Sequence, residues 1–121
     1  LLPQSDKIFK FKGKKQSERD QILKDAKLLE SAGIFSIVLE CVETSLAKKI
    51  TSEIKVPTIG IGSSNTCDGQ ILVFDDLVGL NPINVRFVKK YINIRKNLKT
   101  AVSKYSKDVR RKKFPLKKHS Y

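Results

Sequence analysis

Residues 34–42 read Ile34-Phe35-Ser36-Ile37-Val38-Leu39-Glu40-Cys41-Val42 and follow directly on Gly33. The run is almost wholly apolar, and Glu40 is its one charge. Read as a strand, residues 34–39 are apolar on both faces apart from Ser36, the pattern of a strand covered by helices on both sides in a parallel sheet. An acid at the end of such a strand has two uses. It stands at the mouth of a site, where parallel α/β folds place ligands, or it caps the helix that follows.

The chain on either side fits that sheet. Upstream, Ser17 is expected to cap a helix with Glu18 and Asp20 in its first turn and Ile22, Leu23, Ala26 and Leu29 on one face, ending at Gly33. Downstream, Thr44 caps a second helix whose apolar side is Leu46, Ala47, Ile50 and Ile54. Residues 56–62 then form a second strand, residues 63–69 a polar loop, and residues 70–74 a third strand closed by Asp75 and Asp76. The alternation predicts βα units with parallel strands and right-handed crossovers. After a loop at 77–82, Asn84 is expected to cap a helix that turns Phe87, Val88 and Tyr91 inward. A further helix carries Leu98, Val102, Tyr105 and Val109 as a stripe expected to be core. Residues 114–121 are expected to be non-helical.

Composition narrows the function classes. The formal charge is +13, yet residues 1–85 hold 11 basic and 11 acidic residues, whereas residues 86–121 hold 14 basic residues and only Asp108 as an acid. The excess therefore lies entirely in the C-terminal stretch, and its helical apolar spacing favours a solvated helix face over a nucleic-acid arm. Cys41 and Cys67 have no paired spacing and His119 is the sole histidine, which argues for free thiols and against a zinc site or disulfide framework. No segment has the apolar length of a membrane span or the pattern of a signal peptide, so the expectation is a soluble, cytoplasmic protein. Methionine is absent, which suggests a processed, truncated or split chain.

Three strand ends are polar or glycine-rich: Glu40, then Gly60 to Ser64, then Asp75 and Asp76. In parallel α/β architectures these ends share one face. Gly60-Ile61-Gly62 lacks the third glycine of a dinucleotide fingerprint, and its plain meaning is close approach by another backbone or a ligand. Glu40 with Asp75 or Asp76 can be read as a Mg²⁺ pair or as ordinary capping and solvation.

Taken together, Leu39-Glu40-Cys41-Val42, Val56-Pro57-Thr58-Ile59-Gly60-Ile61-Gly62, Asp68-Gly69-Gln70-Ile71-Leu72-Val73 and Phe114-Pro115 with His119-Ser120 resemble the ketopantoate hydroxymethyltransferase family, and Leu2-Pro3-Gln4-Ser5 resembles the segment after the family's fifth barrel strand. Asp75, Ser63-Ser64 and Lys117-Lys118 depart from its pattern. The resemblance implies an α/β fold, a partial (β/α)8 TIM barrel covering about the last three βα units plus C-terminal helices. Residues 1–121 then divide into a loop (1–16), βα units (17–83), C-terminal helices (84–113) and a tail (114–121).

The same resemblance implies transfer of a hydroxymethyl group from 5,10-methylenetetrahydrofolate to 3-methyl-2-oxobutanoate, giving 2-dehydropantoate for pantothenate synthesis, with Glu40 as the proton acceptor. It implies Mg²⁺ bound by the missing N-terminal half, no metal ligand in this chain, and a cytoplasmic homo-oligomer, commonly a decamer. A fragment of this kind is expected to be inactive and poorly soluble alone. The alternatives are a basic nucleic-acid-binding module through residues 86–121, or a non-catalytic remnant that pairs with intact subunits.

Overall fold

The computed structural model describes residues 11–82 and 84–121, so most of the N-terminal loop, with the motif at residues 2–5, lies outside the described residues. The described chain forms two compact units, residues 11–73 with 84–88 and residues 74–82 with 89–121.

In the first unit helices and strands alternate: α1 (Gln16–Ser31), β1 (Ile37–Glu40), α2 (Thr44–Glu53), β2 (Thr58–Ile61) and β3 (Gly69–Gln70). The strands make one parallel sheet in the order β1-β2-β3, as the alternation predicts. Val38 stands opposite Ile59 and Glu40 opposite Ile61. Beyond the outer edge of β1, Lys12 bridges to Val42 in parallel, so the end of the predicted loop extends the sheet by one residue.

Ala26, Leu39, Val42, Leu46, Ala47, Ile50, Ile54 and Cys67 form one buried cluster, with Ile22, Leu23, Ile37 and Val56 packed against it. The apolar faces expected of the first two helices are therefore core, except for Leu29, which is exposed. The expectation of a doubly covered first strand is corrected. Ile37 and Leu39 face the core, while Val38 and Glu40, on the opposite face, are exposed. Phe35, before the strand begins, is exposed as well. An apolar run on both sides records that both faces are apolar, not that this chain covers both.

The caps also differ from expectation. Lys15, not Ser17, precedes α1 and makes no side-chain cap. Glu18 reaches back instead, its Oε2 accepting the Gly13 N–H at 2.9 Å and the Lys14 N–H at 3.3 Å. Ahead of α2 the cap is Glu43 rather than Thr44, accepting the Leu46 N–H at 3.0 Å. Gly33 does end α1 in the left-handed region, at φ +85°.

Between β2 and β3 no helix intervenes. Asp68 closes this short return by accepting the Thr58 N–H at 2.8 Å and the Thr58 hydroxyl at 2.9 Å. Thr58 is fully buried and shares a hydroxyl contact of 2.9 Å with Thr51. The predicted third strand starts one residue early and is shorter than expected, its last ladder bond running from the Ile71 N–H to the Gly60 carbonyl at 3.0 Å.

The second unit begins with α3 (Phe74–Leu77), where the end of that strand was expected; Asp75 and Asp76 occupy its first turn, which the helix dipole favours. The helix expected after Asn84 does not form. Val88 donates to the Val85 carbonyl in a turn of the first unit. In the second unit the Tyr91 and Ile94 N–H groups donate to the Leu77 and Val78 carbonyls, both at 2.9 Å. Asn93 then caps α4 (Ile94–Arg110), accepting the Lys96 N–H at 3.1 Å. The predicted stripe of Leu98, Val102, Tyr105 and Val109 lies on this helix but is exposed, so it is not core within this chain. Residues 114–121 are not wholly irregular, since Lys117–His119 forms a 3-10 turn with the Phe114 ring beside both Tyr105 and His119.

Candidate active site at the strand ends

The carboxyl ends of β1 and β2 lie side by side because the strands are parallel and in register, and each ends in an unusual backbone. After Glu40 the chain turns through Cys41 at φ +52°, a left-handed conformation uncommon for a residue with a side chain. Two hydrogen bonds fix that turn. The Cys41 N–H donates to the Ile61 carbonyl and the Cys41 carbonyl accepts from the Lys12 N–H, both at 2.9 Å. The turn puts the Cys41 side chain in a buried position, where burial first and the neighbouring Glu40 charge second push its thiol pKa up. Glu40 itself stays exposed on the helix-free face.

β2 ends at Ile61 and is followed by Gly62, with φ +62°. A Cβ there would stand 2.6 Å from the Phe87 ring, so the close approach expected at the Gly-x-Gly segment is made by a side chain of this chain. Ser63 donates to the Val42 carbonyl at 2.9 Å, and the buried Ser64 accepts the Thr66 N–H while its carbonyl accepts from Gln70 Nε2 at 2.7 Å. Both serines thus brace the loop after β2.

A cleft of about 890 Å³ opens beside these strand ends. Cys41, Gly62, Ser63 and Gln70 line it from the sheet, Phe11, Lys14 and Thr44 from one flank, and Val85, Arg86 and Phe87 from the other. Among the described residues that line it there is no aspartate or glutamate. Lys14, Arg86 and Phe87 were not singled out as site residues in the sequence, since they lie far apart along the chain and follow no motif. Gly62 was the one available signal.

Asp75 and Asp76 belong to the second unit, where Asp76 accepts from Asn81 Nδ2 at 2.9 Å. Among the described residues no group of three or more His, Cys, Asp or Glu side chains can hold a metal ion. Cys41 and Cys67 are free and buried. No helix among the described residues is long and apolar enough to cross a membrane.

A second acid works as a brace behind the site. Glu43 binds Arg19 Nη1 at 2.7 Å, and Arg19 also donates to the Gly13 carbonyl at 3.1 Å and to Ser45 Oγ at 2.9 Å. Hydrogen bonds from Ser45, then from Arg19 and from backbone N–H groups, hold the Glu43 carboxyl down at about 2.

Comparison with known proteins agrees with the strand-end motifs. A family model described as ketopantoate hydroxymethyltransferase matches residues 1–117. The chain belongs to the ketopantoate hydroxymethyltransferase family. Its relatives include a 3-methyl-2-oxobutanoate hydroxymethyltransferase of Pelagibacter ubique, 66% identical over 121 residues, which are 100% of this chain and 47% of the relative. Another, from Thermosipho melanesiensis, is 48% identical over 125 residues, covering 100% of this chain and 47% of the relative. A third, from Sulfolobus acidocaldarius, is 49% identical over 107 residues, covering 88% of this chain and 40% of the relative. The chain therefore spans about half the length of the curated ketopantoate hydroxymethyltransferases it matches. These matches name a transferase and lend the nucleic-acid alternative no support.

Proposed function

We propose that the chain is the C-terminal part of an enzyme that transfers a hydroxymethyl group from 5,10-methylenetetrahydrofolate to 3-methyl-2-oxobutanoate, with Glu40 as the group that takes the proton. The observation that carries this reading is the placement of Glu40. It ends a parallel strand, it is exposed on the face opposite the helices, and the left-handed turn at Cys41 directs the following side chain away into burial. In this reading β1, β2 and β3 are three strands of a (β/α)8 barrel, whose chemistry is carried at the carboxyl ends of its strands.

The chemistry asks for such a group. Hydroxymethylation at the carbon next to a keto group begins with loss of that carbon's proton, and an unpaired carboxylate within reach is a suitable acceptor. Among the described residues no ion pair or side-chain hydrogen bond engages the Glu40 carboxylate. In this reading water opens the methylene bridge of the folate, breaking its two C–N bonds to free tetrahydrofolate and a one-carbon unit at the formaldehyde level; the deprotonated carbon adds to that unit, and the proton held by Glu40 passes to the alkoxide so formed, completing the hydroxymethyl group. A divalent cation, which the resemblance implies, would steady the oxyanion of the keto acid when bound. We assign its binding, as the resemblance implies, to the half of the family's length that this chain does not span.

The test is exchange and turnover in this chain joined to the N-terminal portion present in its relatives. Glu40→Gln should lower turnover about 10²–10⁴-fold, the range of general-base contributions, and should abolish exchange of the substrate's C3 proton into deuterated water. Exchange that continues in the variant would remove Glu40 from the proton transfer.

A further inference from the structure

We infer that Arg19, in the first turn of α1, is a positioning residue for Glu40, acting through the segment 12–14 that it clamps against the end of β1. This role rests on the function proposed above, in which Glu40 takes the proton. The peptide that joins Glu40 to Cys41 is followed by the left-handed Cys41, at φ +52°, a conformation that a residue with a side chain keeps only where its surroundings hold it. Two backbone bonds do so. One runs from the Cys41 N–H to Ile61 of β2, and the other reaches the Cys41 carbonyl from the Lys12 N–H. Lys12 is gripped a second time, its own carbonyl accepting the Glu43 N–H at 2.9 Å. The turn after Glu40 is therefore only as firm as the segment that carries Lys12.

Residues 12–14 lie outside the helices and strands, apart from the single bridge made by Lys12, so their anchorage comes from α1. Arg19 Nη1 donates to the Gly13 carbonyl at 3.1 Å and to Glu43 Oε2 at 2.7 Å, and its Nη2 donates to Ser45 Oγ at 2.9 Å. Glu18 takes the other side of the same segment through the Gly13 and Lys14 N–H groups. Gly13 is buried at φ +84°, and a Cβ there would stand 2.6 Å from Leu46 Cδ2, so its backbone is seated directly on the core side of α2. One planar guanidinium thus joins the segment, the residue that caps α2 and the first turn of that helix, a task suited to its fixed fork of donors. α1 and α2 share a second ion pair, Lys27 with Glu53. Among the described residues that pair bonds to neither residues 12–14 nor residues 40–43, so it ties the helices without reaching the strand end.

Turnover and exchange of the substrate's C3 proton, in this chain joined to the N-terminal portion present in its relatives, test the role. Arg19→Ala should lower kcat about ten- to a hundred-fold, the cost of a misplacement on the order of 1 Å, slow the exchange by the same factor and leave the KM for 3-methyl-2-oxobutanoate unchanged. In the Glu40→Gln background the same substitution should cost less than about two-fold, because no base is left to position. Lys27→Ala should leave all three readings at their wild-type values. Arg19→Lys keeps a charge for Glu43 but loses the fork, so its kcat should fall between wild type and Arg19→Ala, and it carries the test if Arg19→Ala does not fold. In the 121-residue chain, the Lys12 and Glu43 amides should exchange with solvent faster in Arg19→Ala, while the Ile37 amide, bonded to the Pro57 carbonyl, should not change. Equal losses in the two backgrounds, a change confined to KM, a matching kcat loss in Lys27→Ala, or unaltered exchange at Lys12 would each overturn the positioning role. Turnover that depends on Glu40 but not on Arg19 removes the clamp and leaves the reaction standing, whereas turnover indifferent to Glu40→Gln removes the base itself.

Discussion

At the scale of single residues, Glu43 does what the sequence assigns to Thr44, and more. Its carboxylate caps α2 and ties Arg19 of α1 across to that helix, so one side chain fixes two elements beside the site. Its pKa is lowered from 4.5 to about 2. A carboxyl depressed on folding adds stability that is fully present above its unfolded value and is lost as pH falls toward its folded value, here between about 4.5 and 2. The thermal midpoint of the wild-type chain should therefore fall more steeply across that window than the midpoint of Glu43→Gln. Parallel curves for the two proteins would show that Glu43 titrates alike folded and unfolded. Glu53, bound by Lys27, and Asp68, bound by Thr58, are also lowered, and both persist in the variant, so the difference between the curves isolates Glu43.

Among the elements, α2 and α4 look alike in sequence and behave differently. Each carries apolar residues at steps of three and four, and each forms the predicted helix. In α2 that stripe is buried, with Ile50 wholly inaccessible; in α4 Leu98 is 50% exposed. Ile50→Ala should cost about 2–5 kcal/mol, and Leu98→Ala about 0.5 kcal/mol or less, in chemical denaturation of the 121-residue chain. A comparable loss at Leu98 would mean that α4 is covered in solution. Periodicity made the helices and the core side of α1 and α2 readable. It also suggested a helix after Asn84 that does not form, where the Tyr91 and Ile94 N–H groups find carbonyls at Leu77 and Val78 instead, and it named no cap for the helix that Asn93 begins. Glu40 was readable as the residue that ends the first strand, because a lone charge closing an apolar run marks where the strand stops. The cleft was not, because Lys14 and Arg86 converge only through folding.

For the molecule as a whole, the consequence of a sheet packed on one side is exposed apolar surface. Val38 is 58% exposed on the uncovered face, and Ile71 and Val73, just past β3, are 55% and 54% exposed. Among the described residues β3 pairs with β2 alone, so its other edge is an open sheet edge. The chain by itself should therefore bind a hydrophobic dye in its native state and associate as concentration rises. Val38→Thr with Ile71→Thr should reduce both effects without lowering cooperativity of unfolding. A dye-negative, monomeric wild-type chain would contradict an open sheet face.

Gly62 and Phe87 carry one further implication, for the order in which this sequence can change. Any side chain introduced at position 62 meets the ring of Phe87 and a backbone angle that only glycine adopts freely. A smaller residue at position 87 opens the space but does not relax the angle. Drift at this pair is thus one-directional: position 87 can shrink first, and position 62 remains closed to enlargement until its loop has been rebuilt.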